Sequence, residues 1–408
     1  MAEFADVVVM GDGPAGSALA ARLMSCGVDV VLIGGDDDWF ATYGTWADDV
    51  EAVPWLDAQR LWLHRAESVE VDVGGRRRVE RPYGVIDNEQ LRVQLRHDLR
   101  PGVEHRVERV VDVRTGSSRH EVVTSAGVTW SCRVLIDATG WPGHVNRSDR
   151  LRSISDVARQ TAFGVVVEEP PAGPLGSVTL MDFSTPSMDL DDALGTIATF
   201  AYALPVHDGW LVEETVLAAH PPVDPERLAA RLAARLGLSE AALRSSARRV
   251  ESVDIAMGGP LPDRSNSIVG YGAAASMIHP ATGYSIATSL THADRVAAAI
   301  AEQVSDSAGV VDVPAIWEAI WPRSSLQTRV LHDYGLDVLL ELDPDDVRSF
   351  FAAFFDLPVE RWAAYLRIDT PPSATASIML SMFRAAPWRL RRRLVSQNPL
   401  AFVRLVRS

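Results

Sequence analysis

The chain opens on an apolar run, Asp6 to Met10 (DVVVM), with the length and composition of a strand buried on both faces. A glycine-rich turn follows, Gly11-Asp12-Gly13-Pro14-Ala15-Gly16. Apolar positions then recur at helical spacing from Ala15 to about Cys26, and Val28 to Ile33 forms a second apolar strand. This order predicts a parallel βαβ unit. Segments near Ser68–Val73, Val107–Val113, Glu121–Thr124 and Val128–Cys132 read as β-strands. Val134 to Gly140 reads as a buried strand ending in a tight turn. Val165 to Phe200 holds no single period. Beyond it come a strand over Gly209–Leu217, a helix over Asp224–Leu236 with Pro225 in its first turn, and a short strand over Ser267–Tyr271. A small-residue turn then leads into a long helix from about Thr282 to Ile300, and from Pro314 onward the pattern is mostly helical. No internal repeat interrupts this order. The expected organisation is a discontinuous nucleotide-binding domain over 1–165 and 250–303, a β-rich substrate domain over 166–249 inserted into it, and a helical C-terminal region over 304–408.

Composition narrows the function. The 408 residues are 47% hydrophobic, enough for a large core, and the net charge of −15 argues against nucleic acid, whose phosphates are met by Lys and Arg. Every basic residue is arginine; there is no lysine, which excludes lysine Schiff-base chemistry. The two cysteines, Cys26 and Cys132, make neither a disulfide framework nor a zinc site and read as core thiols, so a reducing, cytoplasmic setting is expected and no metal site. No signal peptide is read at the start, and no apolar run approaches the roughly 20 residues of a spanning helix. From Phe383 to Ser408 the acidic trend reverses, with seven arginines and no acid among Trp388, Leu390, Leu394 and Phe402. Two readings fit: an amphipathic segment lying on an anionic membrane, or a final helix packed on an acidic body.

Gly11, Gly13 and Gly16 form G-x-G-x-x-G between a strand and a helix. Gly11 allows the tight turn, Gly13 the approach of a pyrophosphate, and Gly16 close helix–strand packing; Pro14 and Ala15 open the helix whose N–H groups face the phosphates. This context points to dinucleotide binding. The acid expected at the end of the second strand, where it would hold a ribose, is replaced by Gly34. Asp36, the nearest of the three following acids, can substitute, or the acids form a solvated turn. Asp12, beside the phosphates, is expected to point outward.

Several ordered segments resemble the plant-type lycopene β-cyclase family: Tyr43-Gly44-Thr45-Trp46; Arg81-Pro82-Tyr83-Gly84; Asp137-Ala138-Thr139-Gly140; Tyr202-Ala203-Leu204-Pro205; Leu211-Val212-Glu213-Glu214-Thr215; Met257 to Pro262; His279-Pro280-Ala281-Thr282-Gly283-Tyr284; and Phe350 to Leu357. The resemblance runs from about residue 6 to 366. It implies an α/β fold of the two-dinucleotide, flavin-monooxygenase-like Rossmann type that binds FAD. Within that fold, Asp137, Gly140, Gly272, Pro280, Thr282, Gly283 and Tyr284 lie at turns facing the cofactor, and Arg81 either meets FAD phosphate or pairs with an acid. It also implies a redox-neutral ring closure that uses reduced flavin, with NADPH as reductant, on a hydrophobic polyene. A carboxylic acid protonates a terminal double bond, a neighbouring alkene captures the cation, and a base removes a proton.

The family's acid falls on Glu213 and Glu214. Protonating an alkene requires an acid kept neutral in a dry pocket, and Leu211, Val212, Val216 and Leu217 supply apolar flanks. On a strand the two glutamates face opposite ways, so one is the donor and the other makes a buried polar contact; Glu213 is the favoured donor. Tyr43, Trp46, Tyr83 and Tyr284 can offer π faces to a cation or belong to the core. His279 can orient the flavin, act as base, or hold a turn. Asp182-Phe183-Ser184 stands where the family carries Asp-Trp-Arg, so an arginine charge is missing from the expected substrate pocket. Three functions follow: a lycopene cyclase in contact with membranes, a relative acting on a polyketide or meroterpenoid polyene, or a flavin monooxygenase or oxidoreductase. Gly272-Ala273, where flavin hydroxylases usually carry Gly-Asp, counts against the last.

Overall fold

The structure is a computed structural model, and residues 2–35, 37–100, 104–143, 157–171, 173–184, 197–305 and 310–397 are described. The expected βαβ unit forms from strand Glu3–Met10, helix Pro14–Ser25 and strand Val30–Gly34. Strand Glu3–Met10 lies between Val30–Gly34 and Thr129–Asp137, parallel to both, and its inner residues Val7 to Met10 are fully buried. That burial on both faces explains the unbroken apolar run. Strand Ile268–Gly270 adds in parallel on the far half of Thr129–Asp137 (Asp137 opposite Gly270), so two segments 133 residues apart in the chain end side by side. Helix Ile286–Val304 follows and packs on helix Pro14–Ser25, with Leu19, Leu23, Leu290 and Val296 all buried in one core.

A second seven-stranded sheet runs in the order Arg249–Met257, Ala158–Val167, Gly209–Ala219, Phe200–Val206, Thr179–Asp182, Val69–Asp72, Arg76–Val79. The boundaries expected at 165/166 and 249/250 therefore fall inside strands. Ala158–Val167 and Arg249–Met257 pair along their whole lengths, and both belong to the β-rich unit rather than to the nucleotide domain. The hairpin 69–79 also joins this sheet, from within the N-terminal stretch. One face of the sheet is sealed by helix Pro225–Arg235, where Leu228 and Leu232 pack on Phe163, Val165, Val212 and Val216. The other face is open to a cavity.

The helical C-terminal region closes the molecule. On helix Arg323–Glu341, the buried Arg329 donates to Ser276 O (3.1 Å) and Gly259 O (2.8 Å), fixing the turn after strand Ile268–Gly270. Trp321 Nε1 donates to Ala275 O at 2.8 Å and ties the same turn. The arginine-rich end forms helix Trp388–Gln397. Leu390 is buried, while Arg389 and Arg393 pair with Asp343 at 3.0 and 2.9 Å, and Arg393 also reaches Asp346. Part of the basic stripe thus docks the helix on an acidic helix start, and Trp388 remains 71% exposed. Residues 398–408 lie outside the described residues. Among the described residues no helix is long and apolar enough to cross a membrane. Cys132 is buried, its thiol pushed up to about 12 by burial; Cys26, expected in the core, is exposed because it caps the helix Pro14–Ser25 at the surface.

Candidate active site: a dinucleotide cleft joined to a glutamate cavity

The glycine turn builds a cleft of about 550 Å3 lined by Gly11, Gly13, Pro14, Ala15, Gly34, Thr139 and Gly140 among others. Gly11 has φ +97°, and a Cβ there would lie 2.5 Å from Ala138 O; a Cβ on Gly16 would collide with Gly11 O. Both positions need glycine. Asp137 is fully buried and its carboxylate accepts from Thr139 N (3.1 Å) and Thr139 Oγ1 (2.6 Å). It shapes the turn that carries Gly140 instead of facing the cleft. Gly272 (φ +64°) lets its turn close on the first helix, since a Cβ would stand 2.5 Å from Ala15 Cβ. Asp36 lies outside the described residues, and Asp37 is exposed, 2.9 Å from Arg109. Asp12, expected to point outward, is 8% exposed, with His105 Nε2 at 3.1 Å and Arg96 Nη2 at 3.2 Å from its Oδ2.

Tyr43, Ala273, Ser285 and Ile286 line this cleft and also a second cavity of about 750 Å3, so the two adjoin. The second lies against the open face of the β-rich sheet. Strand Gly209–Ala219 alternates: Leu211, Glu213 and Thr215 face the cavity, while Val212, Glu214 and Val216 face helix Pro225–Arg235. Across the sheet Glu213 is opposite Tyr202 on one side and Gly164 on the other, and Gly164 is opposite Glu251. A Cβ at Gly164 would stand 3.2 Å from Glu213 Cβ, so this glycine leaves room for the carboxyl between two strands. Tyr83 and Tyr284, hydrogen-bonded to one another, complete the lining with Thr282 and Gly283. Gly283 has φ +79° and abuts the Gln160 side chain.

Glu213 is 7% exposed and accepts from Thr215 Oγ1 at 2.7 Å. Burial pushes its carboxyl up to about 7; the Thr215 hydroxyl opposes the shift and the charge of Glu251 adds to it. Burial likewise raises Tyr83, Tyr202 and Tyr284, so all three are neutral phenols. Glu251 is held by Thr42 N and Oγ1, both at 2.8 Å, and by Arg249 at 2.9 Å. Glu214 is fully buried on the opposite face, where Arg235 Nε meets it at 2.7 Å and Nη2 at 3.0 Å, with Thr199 also donating.

Other expected site residues are placed elsewhere. Arg81 does not line the cleft. Its guanidinium lies between the rings of Trp46 and Trp362, 4.7 and 5.2 Å from their centroids, and pairs with Asp48 (3.0 Å) and Asp49 (2.9 Å). Asp182 is buried and faces Arg235 at 3.6 Å, and Phe183 packs among Phe200 and Phe351 at 5.0 and 5.7 Å; neither reaches the glutamate cavity. The missing arginine at Ser184 is met in space by Arg235, whose Nη1 donates to Ser184 O at 2.7 Å. His279 is fully buried: Ala281 N donates to its Nδ1 (3.3 Å), and its Nε2 donates to Tyr365 O (3.0 Å). Burial lowers it to about 3; one nitrogen is bonded within the 279–284 turn and the other ties that turn to the Tyr365 carbonyl. Pro280 sits within that turn. Trp46 lines a smaller aromatic chamber with Phe350, Phe351, Phe354 and Phe355, which shares Tyr202, Thr282 and Tyr284 with the glutamate cavity. Tyr202 and Thr215, quoted above within family-like segments but given no role, are cavity residues, as is Glu251, which no motif contains. Strand parity with Glu213 marks Thr215, but nothing local marks Glu251, which arrives from another strand.

A family model described as lycopene cyclase protein matches residues 6–392. The lycopene beta cyclase, chloroplastic/chromoplastic, of Capsicum annuum is 30% identical over 419 residues, covering 99% of this chain and 82% of that one. The lycopene beta cyclase of Synechococcus elongatus is 31% identical over 405 residues, covering 96% of each. Among solved structures, a geranylgeranyl bacteriochlorophyll reductase-like protein of Thermoplasma acidophilum matches with a TM-score of 0.68 at 14% identity, covering 98% of this chain and 99% of that one; at that identity it shows the fold alone.

Proposed function

The chain belongs to the lycopene cyclase family, and on that premise we propose that it is an FAD-dependent enzyme that closes a ring on a long polyene of the lycopene type, with Glu213 as proton donor and no net oxidation or reduction. The observation that carries the reading is a buried glutamic acid, neutral up to about pH 7, on the wall of a cavity that adjoins a dinucleotide cleft.

The cleft fits FAD: Gly11 and Gly16 leave no room for a Cβ where the pyrophosphate turn passes, and the helix start at Pro14 offers its free N–H groups to phosphate. Gly13, Pro14, Ala15 and Gly140 would hold the cofactor's phosphates, with the residues shared by both cavities at its ring end. When bound, reduced flavin supplies negative charge beside the cavity, with NADPH as its reductant.

The protein's own residues carry the remaining chemistry. The Glu213 O–H bond breaks and its proton forms a C–H bond at the terminal alkene, leaving a tertiary cation. The π electrons of a neighbouring alkene form the ring C–C bond. Loss of a proton from the adjacent carbon to the Glu213 carboxylate, directly or by way of Glu251 on the same wall, restores a double bond and reprotonates Glu213. One proton enters and one leaves, so substrate and product are isomers. Tyr83, Tyr202 and Tyr284 offer π faces to the cation and, as neutral phenols in a dry wall, do not quench it as water would. The aromatic chamber beyond Tyr202 and Tyr284 extends the apolar path for the rest of the chain. We propose the exposed Trp388, at the start of helix Trp388–Gln397, as the contact with the membrane in which such a substrate dissolves.

Incubated with lycopene under reducing conditions, the flavin-loaded protein is expected to yield a cyclised product of unchanged mass by mass spectrometry. A product that gains oxygen or loses two hydrogens overturns the cyclase reading in favour of a monooxygenase or dehydrogenase. The acid form of Glu213 dominates below about pH 7, so kcat/KM is expected to be flat in that range and to fall about tenfold per unit above it. A rate that rises through pH 7 would assign the chemistry to a base instead.

A further inference from the structure

The strand after the first helix of this fingerprint ordinarily ends in an acid that holds the adenosine ribose. Here that strand ends in Gly34. A Cβ built on Gly34 would collide with Asp12: its three nearest heavy atoms are Cγ, Oδ1 and Cβ of that residue. The carboxyl of Asp12, the second residue of the glycine turn, thus stands where the strand-end side chain would begin. Gly34 and Asp12 together line the cleft. Asp12 is also braced for a fixed position: Oδ2 lies 3.1 Å from His105 Nε2 and 3.2 Å from Arg96 Nη2, and the same Arg96 nitrogen donates to Asp12 O at 2.6 Å. His105 comes from the strand next to Val30–Gly34 and Arg96 from the helix Asn88–Arg96, so three separate elements converge on this carboxyl.

We propose that Asp12 has exchanged places with the strand-end acid and accepts the hydroxyl hydrogens of the adenosine ribose of FAD from within the glycine turn. The inference rests on the FAD reading above. Arg96 and His105 are positioning residues. The absence of a side chain at Gly34 is the complement that makes room for the exchange.

The test is a titration of flavin-depleted full-length chain with FAD and with its 2′-deoxyadenosine analogue, followed by quenching of flavin fluorescence. Wild type is expected to prefer FAD by about tenfold or more, as hydrogen bonds to a charged acceptor are worth. Asp12→Gly is expected to bind FAD about tenfold to hundredfold more weakly and to lose the discrimination; Asp12→Asn, whose amide oxygen still accepts but carries no charge, keeps the shape if the glycine variant fails to fold and is expected to bind more weakly with the discrimination reduced. Gly34→Glu alone is expected to abolish binding by collision with Asp12. The double variant Asp12→Gly/Gly34→Glu restores the ordinary arrangement and is expected to recover both affinity and discrimination. If wild type binds no FAD, the cofactor reading falls. If it binds FAD while the Asp12 variants bind and discriminate as wild type does, or if the double variant is no better than Asp12→Gly, the assignment of Asp12 alone is overturned.

Discussion

Glu213→Gln is expected to lower turnover of the polyene by about a thousandfold or more while leaving bound flavin unchanged. Glutamine has the same shape and its amide oxygen can still accept from the Thr215 hydroxyl, which now sits 2.7 Å from Glu213 Oε1, so the cavity wall is preserved. What disappears is the acidic proton. General acids contribute about 10²- to 10⁴-fold, and here proton delivery starts the reaction, which puts the loss toward the upper end. The same substitution is expected to stabilise the fold. The folded carboxyl titrates near 7 against an ordinary 4.5. Below 4.5 both folded and unfolded forms are protonated and the burial of an ionisable group has no linkage cost. Between 4.5 and 7 the unfolded chain ionises first, so wild type loses stability with rising pH; above 7 the deficit is constant, at roughly 3 kcal/mol. Denaturation midpoints of wild type and Glu213→Gln should therefore coincide near pH 4 and separate by pH 8, with the inactive variant the more stable. A Glu213→Gln protein with turnover within tenfold of wild type would remove Glu213 from the chemistry.

The burial behind that result is only partly legible in the sequence. The βαβ unit and its glycine turn are readable because each depends on local pattern: a strand buried on both faces, glycines where backbone meets backbone, a helix started by Pro14. The opposite orientation of Glu213 and Glu214 is readable from strand parity. Which face is dry and which is paired is not, because that depends on helix Pro225–Arg235 covering one side of the sheet. The boundaries expected at 165/166 and 249/250 fall inside strands for a related reason. Strands Ala158–Val167 and Arg249–Met257 pair with each other across some ninety residues of chain, and no local feature states the partner. Arg81, Asp182, Phe183 and His279 belong to recognisable motifs, yet each is committed to a contact with a distant residue: Trp362, Arg235, Phe351 and Tyr365. A motif identifies a side chain that matters without saying whether it matters to substrate or to the shape of the site.

The second glutamate tests that distinction. Arg235→Met is expected to destabilise the protein by about 3–5 kcal/mol while turnover per folded molecule stays within a few fold of wild type. Arg235 contacts Glu214 twice, at 2.7 and 3.0 Å, and stands 3.6 Å from Asp182; both acids are essentially fully buried. Methionine keeps the bulk but leaves two carboxylates in an apolar layer between sheet and helix, with Arg231, 3.4 Å from Glu214, as partial compensation. Removing the acid instead, as in Glu214→Gln, should cost less, because Arg235 retains Asp182 and the Ser184 carbonyl at 2.7 Å. The ordering Arg235→Met worse than Glu214→Gln in denaturant midpoint, with flavin content and the pH profile of kcat/KM unchanged in both, is what a paired structural acid requires. Loss of turnover in folded Glu214→Gln, with Glu213 intact, would reverse the assignment of the two faces. The reason to expect otherwise is placement: Glu214 accepts from Arg235 Nε and Nη2 and from the Thr199 hydroxyl on the helix-covered face, whereas Glu213, raised by burial to about 7, has one hydroxyl partner among the described residues and stands on the cavity wall where an alkene can take its proton.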